Sequence, residues 1–161
     1  MITGLSTLEV TCRACLALYL FRTGGRNAYA RDIVSKHPEV KGNVNEALVR
    51  CSEEVLACAQ TCIACGDACL GEQTVKELTQ CIRLNLDCAD ICAATAALTS
   101  RRTGSNEAVM RQVIEICATA WRTCAEECER HASRHDHCRI CAESCRRCEQ
   151  ACLEAARTIT P

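Results

Sequence analysis

Along CSEEVLACAQTCIACGDAC, residues 51–69, one small apolar side chain returns at gaps of 7, 4, 3 and 4, and the residues between mostly favour helix. Such spacing is the signature of a helix with one buried face. The recurring side chain is cysteine, which packs as a small hydrophobe when buried. At about 100° per residue, Cys51, Cys58, Cys62, Cys65 and Cys69 fall within an arc of ~60°. The 7-then-4 interval recurs at Cys81/Cys88/Cys92 and at Cys117/Cys124/Cys128. Cys138, Cys141, Cys145, Cys148 and Cys152 follow at 3, 4, 3 and 4, an arc of ~80° by the same count. These are core positions of packed helices.

Punctuation between the runs agrees with this division. Asn43 with Glu46, and Thr74 with Glu77, have capping-box spacing, and Gly71 and Gly104 stand where helices end. Ser105 and Asp136 are candidate N-caps, and His37-Pro38 with Gly42 marks a turn. The predicted helices run over 5–21, 27–36, 44–70, 74–101, 105–132 and 136–158. The last four, amphipathic and closely connected, predict an all-α, antiparallel up-down four-helix bundle with a cysteine-lined core. Residues 43–161 form that bundle. Residues 1–42 form an additional N-terminal helical segment, which arrives at one end as a plug.

Composition sharpens this picture. The chain has 161 residues and 18 cysteines, yet Trp121, Tyr19, Tyr29 and Phe21 are its only aromatics. Leu, Ile, Val and Phe make up about a fifth of it, a level at which ordinary cores become thin. Either the chain is partly disordered, or thiols fill positions that leucine would normally take. The second is physically sound, because buried cysteine packs as a small hydrophobe. A net charge of −1 gives no electrostatic case for nucleic acid or an anionic membrane. No apolar run approaches the ~18 residues of a membrane helix. The apolar stretch Ala14–Phe21 is short, has Glu9 ahead of it and is followed by Arg22 and Arg26. Despite the small-x-small pattern at Ala28-Tyr29-Ala30, this is a poor export signal. A cytoplasmic protein with reduced thiols is expected.

Three readings of the thiols compete. Cysteine could be mere core filler, but alanine, leucine and valine pack as well without its oxidation liability. Disulfides could staple the helices. Six CxxxC pairs are present (Cys58/Cys62, Cys65/Cys69, Cys88/Cys92, Cys124/Cys128, Cys141/Cys145 and Cys148/Cys152). Within a helix, however, their Cβ vectors run nearly parallel, which suits a disulfide badly; bridges across helices are feasible but need an oxidising compartment. The third reading is a soft metal, since residues i and i+4 stack on one face and two thiolates can hold an ion between them. Charge favours Cu(I): a Cys₄ zinc site carries −2 and several in one dry core repel, whereas one Cu(I) per thiolate is neutral. About one ion per core cysteine follows. A zinc or mixed-metal thiolate buffer, or a metal-free structural or redox thiol protein, remains the alternative.

VLACAQTCIACGDACLGE (55–72), CIRLNLDCADICAATA (81–96) and ECERHASRHDHCRICAESCRRCEQAC (127–152) resemble the cytosolic copper storage proteins, the Csp family of bacterial four-helix bundles. The resemblance covers roughly residues 30–158. It implies a homotetramer of bundles, each holding many Cu(I) ions on thiolates. Copper would arrive from a chaperone or a small-molecule thiol donor. Cys12 and Cys15 lie in TCRACLALYLFRTGG, outside the resemblance, and are not assigned to the store.

Antiparallel connectivity places Cys65, Cys69 and Cys138 at one end and Cys51, Cys92, Cys117 and Cys152 towards the other. His131, His135 and His137 cluster at the first end. Imidazole holds Cu(I) more weakly than thiolate and can pass ions inward, so this end is the expected entry. A solvated loop is the plainer alternative. Asn85 and Trp121 share the thiol faces; Trp121 packs, and Asn85 satisfies a backbone group or assists a metal. His37 reads as a turn residue. Arg146-Arg147 and Glu53-Glu54 read as solvated faces or subunit contacts. No nucleophile–base pair or phosphate loop is evident, so no enzyme is expected.

Overall fold

A computed structural model describes residues 28–104 and 106–159. Cys12, Cys15, the helix expected over 5–21 and the cap expected at Ser105 lie outside the described residues. Five α-helices stand within them: α1 Ala28–Ser35, α2 Glu46–Gly71, α3 Thr79–Thr99, α4 Glu107–His131 and α5 Asp136–Ala156. A 3₁₀ turn, Val75–Leu78, leads into α3. Helices α2 to α5 form a closed ring in which α2 packs on α3 and α5, and α4 packs on α3 and α5. Short connections make neighbours antiparallel, the bundle that the cysteine spacing predicts. α2, with 26 residues, is ~39 Å long at 1.5 Å per residue.

The helix starts differ from the expected caps in instructive ways. Asn45, not Asn43, caps α2: its side chain accepts from the Leu48 amide at 3.0 Å. The choice is tertiary, because the Asn45 amide also donates to the Thr158 hydroxyl at 2.9 Å, while the Asn43 N–H is taken by Val40 O in the preceding turn. Thr74 opens the 3₁₀ turn without a side-chain cap, and His135 rather than Asp136 occupies the N-cap position of α5. Gly71 is the last residue of α2, with Glu72 at the C-cap. Gly42 and Gly104 adopt φ +81° and +73°, a region where only glycine is free of a Cβ penalty.

Among the described residues, fourteen cysteines are free and all are buried, none more than 2 % exposed. At the end where α1 arrives, Thr95 and Thr99 take over the inner face of α3. Their hydroxyls are satisfied on the carbonyls of Ile91 and Thr95 one turn back, at 2.7 and 2.9 Å. Leu48, Met110, Ile114 and Ile159 belong to the buried core at this end. α1 ties to α2 through Arg31 and Glu46 at 2.7 Å. His37 behaves as a turn residue, accepting from the Glu39 amide. Outside, Arg146 meets Glu129 at 3.0 Å and Arg147 approaches Glu54 at 3.8 Å. The exposed Arg146–Glu129 pair adds little stability, whereas the Glu54 side chain is largely buried.

Candidate metal centre

Each helix of the ring contributes one stripe of sulfur, and the stripes meet on the axis. At one end Cys65, Cys69, Cys138 and His137 place their donor atoms within 4.8 Å of one another. Next come Cys65, Cys128 and Cys141, then Cys62, Cys124, Cys141 and Cys145. Cys58, Cys62, Cys88 and Cys145 follow, and then Cys58, Cys92 and Cys148. Successive groups share members, so the sulfurs form a continuous column. Contacts run from 3.6 Å (Cys58–Cys145, Cys62–Cys141, Cys81–Cys128) to 4.0 Å (Cys62–Cys124). An ion with bonds of ~2.3 Å to three sulfurs separates them by about 4 Å, and four sulfurs by slightly less. The column is therefore spaced for ions held by three or four thiolates.

Sharing bears on which metal fits. Two four-thiol groups have Cys62 and Cys145 in common, so they cannot both be discrete Cys₄ zinc sites. Bridging thiolates with monovalent ions satisfy the same geometry without accumulating charge.

Asn85 is fully buried in the column. Its amide N–H₂ donates to Cys81 O at 2.8 Å and to the Cys81 sulfur at 3.3 Å. Its carbonyl oxygen accepts from Cys141 at 3.0 Å and Cys124 at 3.5 Å. It thus satisfies a backbone group and also organises sulfurs around itself. Trp121 is almost wholly buried, and its indole N–H donates to Cys92 at 3.2 Å.

Two of the sixteen expected ligand sulfurs differ. Cys51 and Cys152 are joined as a disulfide between α2 and α5, with Cα atoms 4.8 Å apart. Bridges within a helix are disfavoured, but across helices they are feasible, and here the α2 and α5 backbones lie within disulfide range. Small buried neighbours, Ser52, Ala151 and Ala155, allow that approach. As a cystine the pair offers no thiolate.

At the mouth, His137 Nδ1 lies 3.5 Å from Cys65, 3.5 Å from Cys138 and 3.9 Å from Cys69. Its Nε2 faces Glu72 Oε1 at 3.4 Å, and His135 Nδ1 meets the same oxygen at 3.2 Å. His131 Nε2 pairs with Glu127 Oε1 at 3.1 Å, while its Nδ1 is buried without a hydrogen-bond partner. Both carboxylates escaped the sequence reading. Glu127 stands four residues before His131 on one helix face, a detectable signal. Glu72 reaches its histidines across two connections and left none.

Burial and neighbouring thiols set the acidities. Cys69 is pushed up from 9.0 to about 11, first by burial and then by the charge of Cys81. Cys138 is also raised, first by burial. Cys92 is lowered chiefly by the Cys117 S–H it accepts, and Cys117 is correspondingly raised. A raised thiol contributes stability in full below its unfolded pKa and loses it as pH climbs through the folded value. In reduced, metal-free protein, the stability difference between the parent and Cys69→Ser is therefore expected to decline between pH 9 and about 11. Urea unfolding at several pH values measures it, and a difference that grows with pH would contradict the assignment.

Fold and site together define a thiol-lined helical container for soft metal ions. The model of the copper storage protein family matches residues 44–157, and this chain belongs to that family. A copper storage protein from Streptomyces lividans, solved with ten copper equivalents, is 53 % identical, with a TM-score of 0.76 over 80 % of this chain and 98 % of that one. A Cu(I)-bound copper storage protein is 33 % identical, with a TM-score of 0.56 over 69 % and 95 % of the two chains. A cysteine-rich Bacillus subtilis (strain 168) protein, YhjQ, described as uncharacterized, is 36 % identical over 87 residues, 54 % of this chain and 75 % of that one.

Proposed function

We propose that this chain stores many Cu(I) ions as cargo on the thiolates of its bundle, about one per free core cysteine, with entry at the histidine end. The observation that carries the reading is the sharing of Cys62 and Cys145 between two four-thiol groups. Such a column suits bridged monovalent ions. The family is one of copper storage, and no catalytic step is assigned to the chain. Titrating reduced protein with Cu(I) against a competing chelator tests the reading. A tight endpoint near one ion per free thiol supports it, whereas an endpoint near one ion per four thiols supports zinc-type sites instead. The Cys51–Cys152 bridge favours a redox thiol protein as the second reading. Thiol loss to mild oxidant with no metal uptake would establish that one.

Entry through His131, His135 and His137 rests on the contact of His137 with Cys65 and Cys138. Replacing all three histidines with alanine is expected to slow Cu(I) uptake while leaving capacity almost intact. Stopped-flow absorbance of the Cu(I)–thiolate bands measures this, and equal rates would reject the port.

The cytoplasm is proposed as the site of storage, since a Streptomyces lividans relative 58 % identical to this chain is described as cytosolic. No helix among the described residues is long and apolar enough to cross a membrane. A homotetramer is proposed as well. Leu56, Ile63 and Leu70 stand exposed at seven-residue intervals on α2, an apolar stripe that suits a subunit contact. A copper chaperone or small-molecule thiol is the proposed donor. Residues 1–42 are proposed as a segment distinct from the bundle of 43–161.

A further inference from the structure

We propose that Glu72 is a positioning residue of the entry site: its carboxylate fixes His137 in the Nε2–H tautomer and so presents the Nδ1 lone pair to the first thiols of the column. The inference rests on the storage reading above and names how its mouth is set.

The two ring nitrogens of His137 face opposite chemistry. Nε2 lies 3.4 Å from Glu72 Oε1. Nδ1 points among the sulfurs of Cys65, Cys138 and Cys69, at 3.5, 3.5 and 3.9 Å. A neutral imidazole carries one N–H and one lone pair. Were the proton on Nδ1, the Nε2 lone pair would confront an anionic oxygen that only accepts. With the proton on Nε2, it donates to Glu72, and Nδ1 is free to ligate an ion shared with the thiolates. A carboxylate behind a ligating histidine fixes the ring and raises its basicity.

The same oxygen takes His135 through the other nitrogen, Nδ1, at 3.2 Å. The two rings lie 5.3 Å apart between centroids, tilted by 37°. One carboxylate thus holds the pair in opposite tautomers, with only His137 turning Nδ1 towards the column. Glu127 and His131 repeat the arrangement within α4: Nε2 meets the carboxylate at 3.1 Å, and Nδ1 is buried and unpartnered. Glu72 is set by the chain itself, as the C-cap of α2, where its N–H bonds back to Cys69 O. The residue that ends the first thiol stripe therefore also orients the histidine that opens the last.

Long-range proton–nitrogen correlation on histidine-labelled, reduced, metal-free full-length protein reads the tautomer directly. His137 is expected as Nε2–H, with Glu72→Ala giving a mixture of tautomers; a parent His137 protonated on Nδ1 overturns the proposal. In stopped-flow uptake with Cu(I) alone, Glu72→Ala should slow the first phase roughly tenfold with total capacity unchanged. Glu72→Gln, whose amide oxygen still accepts, should recover part of the rate. A first phase unchanged by Glu72→Ala overturns the proposal. If the triple histidine variant is slow in that same assay, entry at this end survives without Glu72; if it too is unaffected, the entry reading falls as well.

Discussion

Replacing Cys62 and Cys145 together with serine is expected to cost more copper than the two sulfurs removed, on the order of four ions, because contacts in one network do not add. Each of these residues belongs to both four-thiol groups at the middle of the column, so every ion in those groups loses a bridge. Cys51 and Cys152 supply the control. They also amount to two sulfurs, but neither belongs to the two four-thiol groups, so under reducing conditions, with their bridge between α2 and α5 opened, their double replacement should remove two ions at most. Chelator-competed Cu(I) titration of the two variants side by side measures the contrast. Circular dichroism checks that both remain helical, since a buried hydroxyl without a partner costs ~1–3 kcal/mol. Equal losses of two ions from each variant would mean that the thiols act singly and that no shared cluster exists.

The second large effect concerns stability rather than capacity. Trp121 is the largest fully buried side chain of the core, in a bundle lined mostly by small residues. Trp121→Ala is expected to destabilise the reduced, metal-free protein by about 3–5 kcal/mol, read from the denaturant midpoint at constant slope. Trp121→Phe retains most of the volume and loses the N–H donated to Cys92, so a smaller loss of ~1–2 kcal/mol is expected. Copper should raise parent and variants alike and leave the differences between them unchanged, because ions that bind only the folded chain stabilise it by mass action, about 4 kcal/mol for each site held at a thousand times its Kd. A loss under about 1 kcal/mol for Trp121→Ala would show that the thiols close over the gap.

Much of this was legible in the residues because a helix converts spacing into direction. The helix expected over 44–70 is found at Glu46–Gly71, that over 136–158 at Asp136–Ala156, and that over 105–132 at Glu107–His131. The 7-then-4 repeat alone implied that the cysteines share one face, and that face is the buried one. The expected start at residue 74 became a 3₁₀ turn that buries Leu78 completely before α3 begins. Local capping patterns do not weigh a tertiary contact of that kind. The misplaced cap has the same cause: Asn43 and Asn45 are equally suited to the role, and Thr158, more than a hundred residues away, selects Asn45.

Sequence by itself determined the period, the number of long helices, the inward turn of the thiols and the end at which the histidines gather. Each of these depends on separations of a few residues along one chain direction. Only the tertiary structure decided which sulfurs touch, that Cys51 meets Cys152, that Asn85 reaches sulfurs on three other helices, and that Glu72 stands behind two histidines. Those are matters of how far apart and at what rotation separate helices pack. A repeat read along one strand of chain carries no term for the distance to its neighbour.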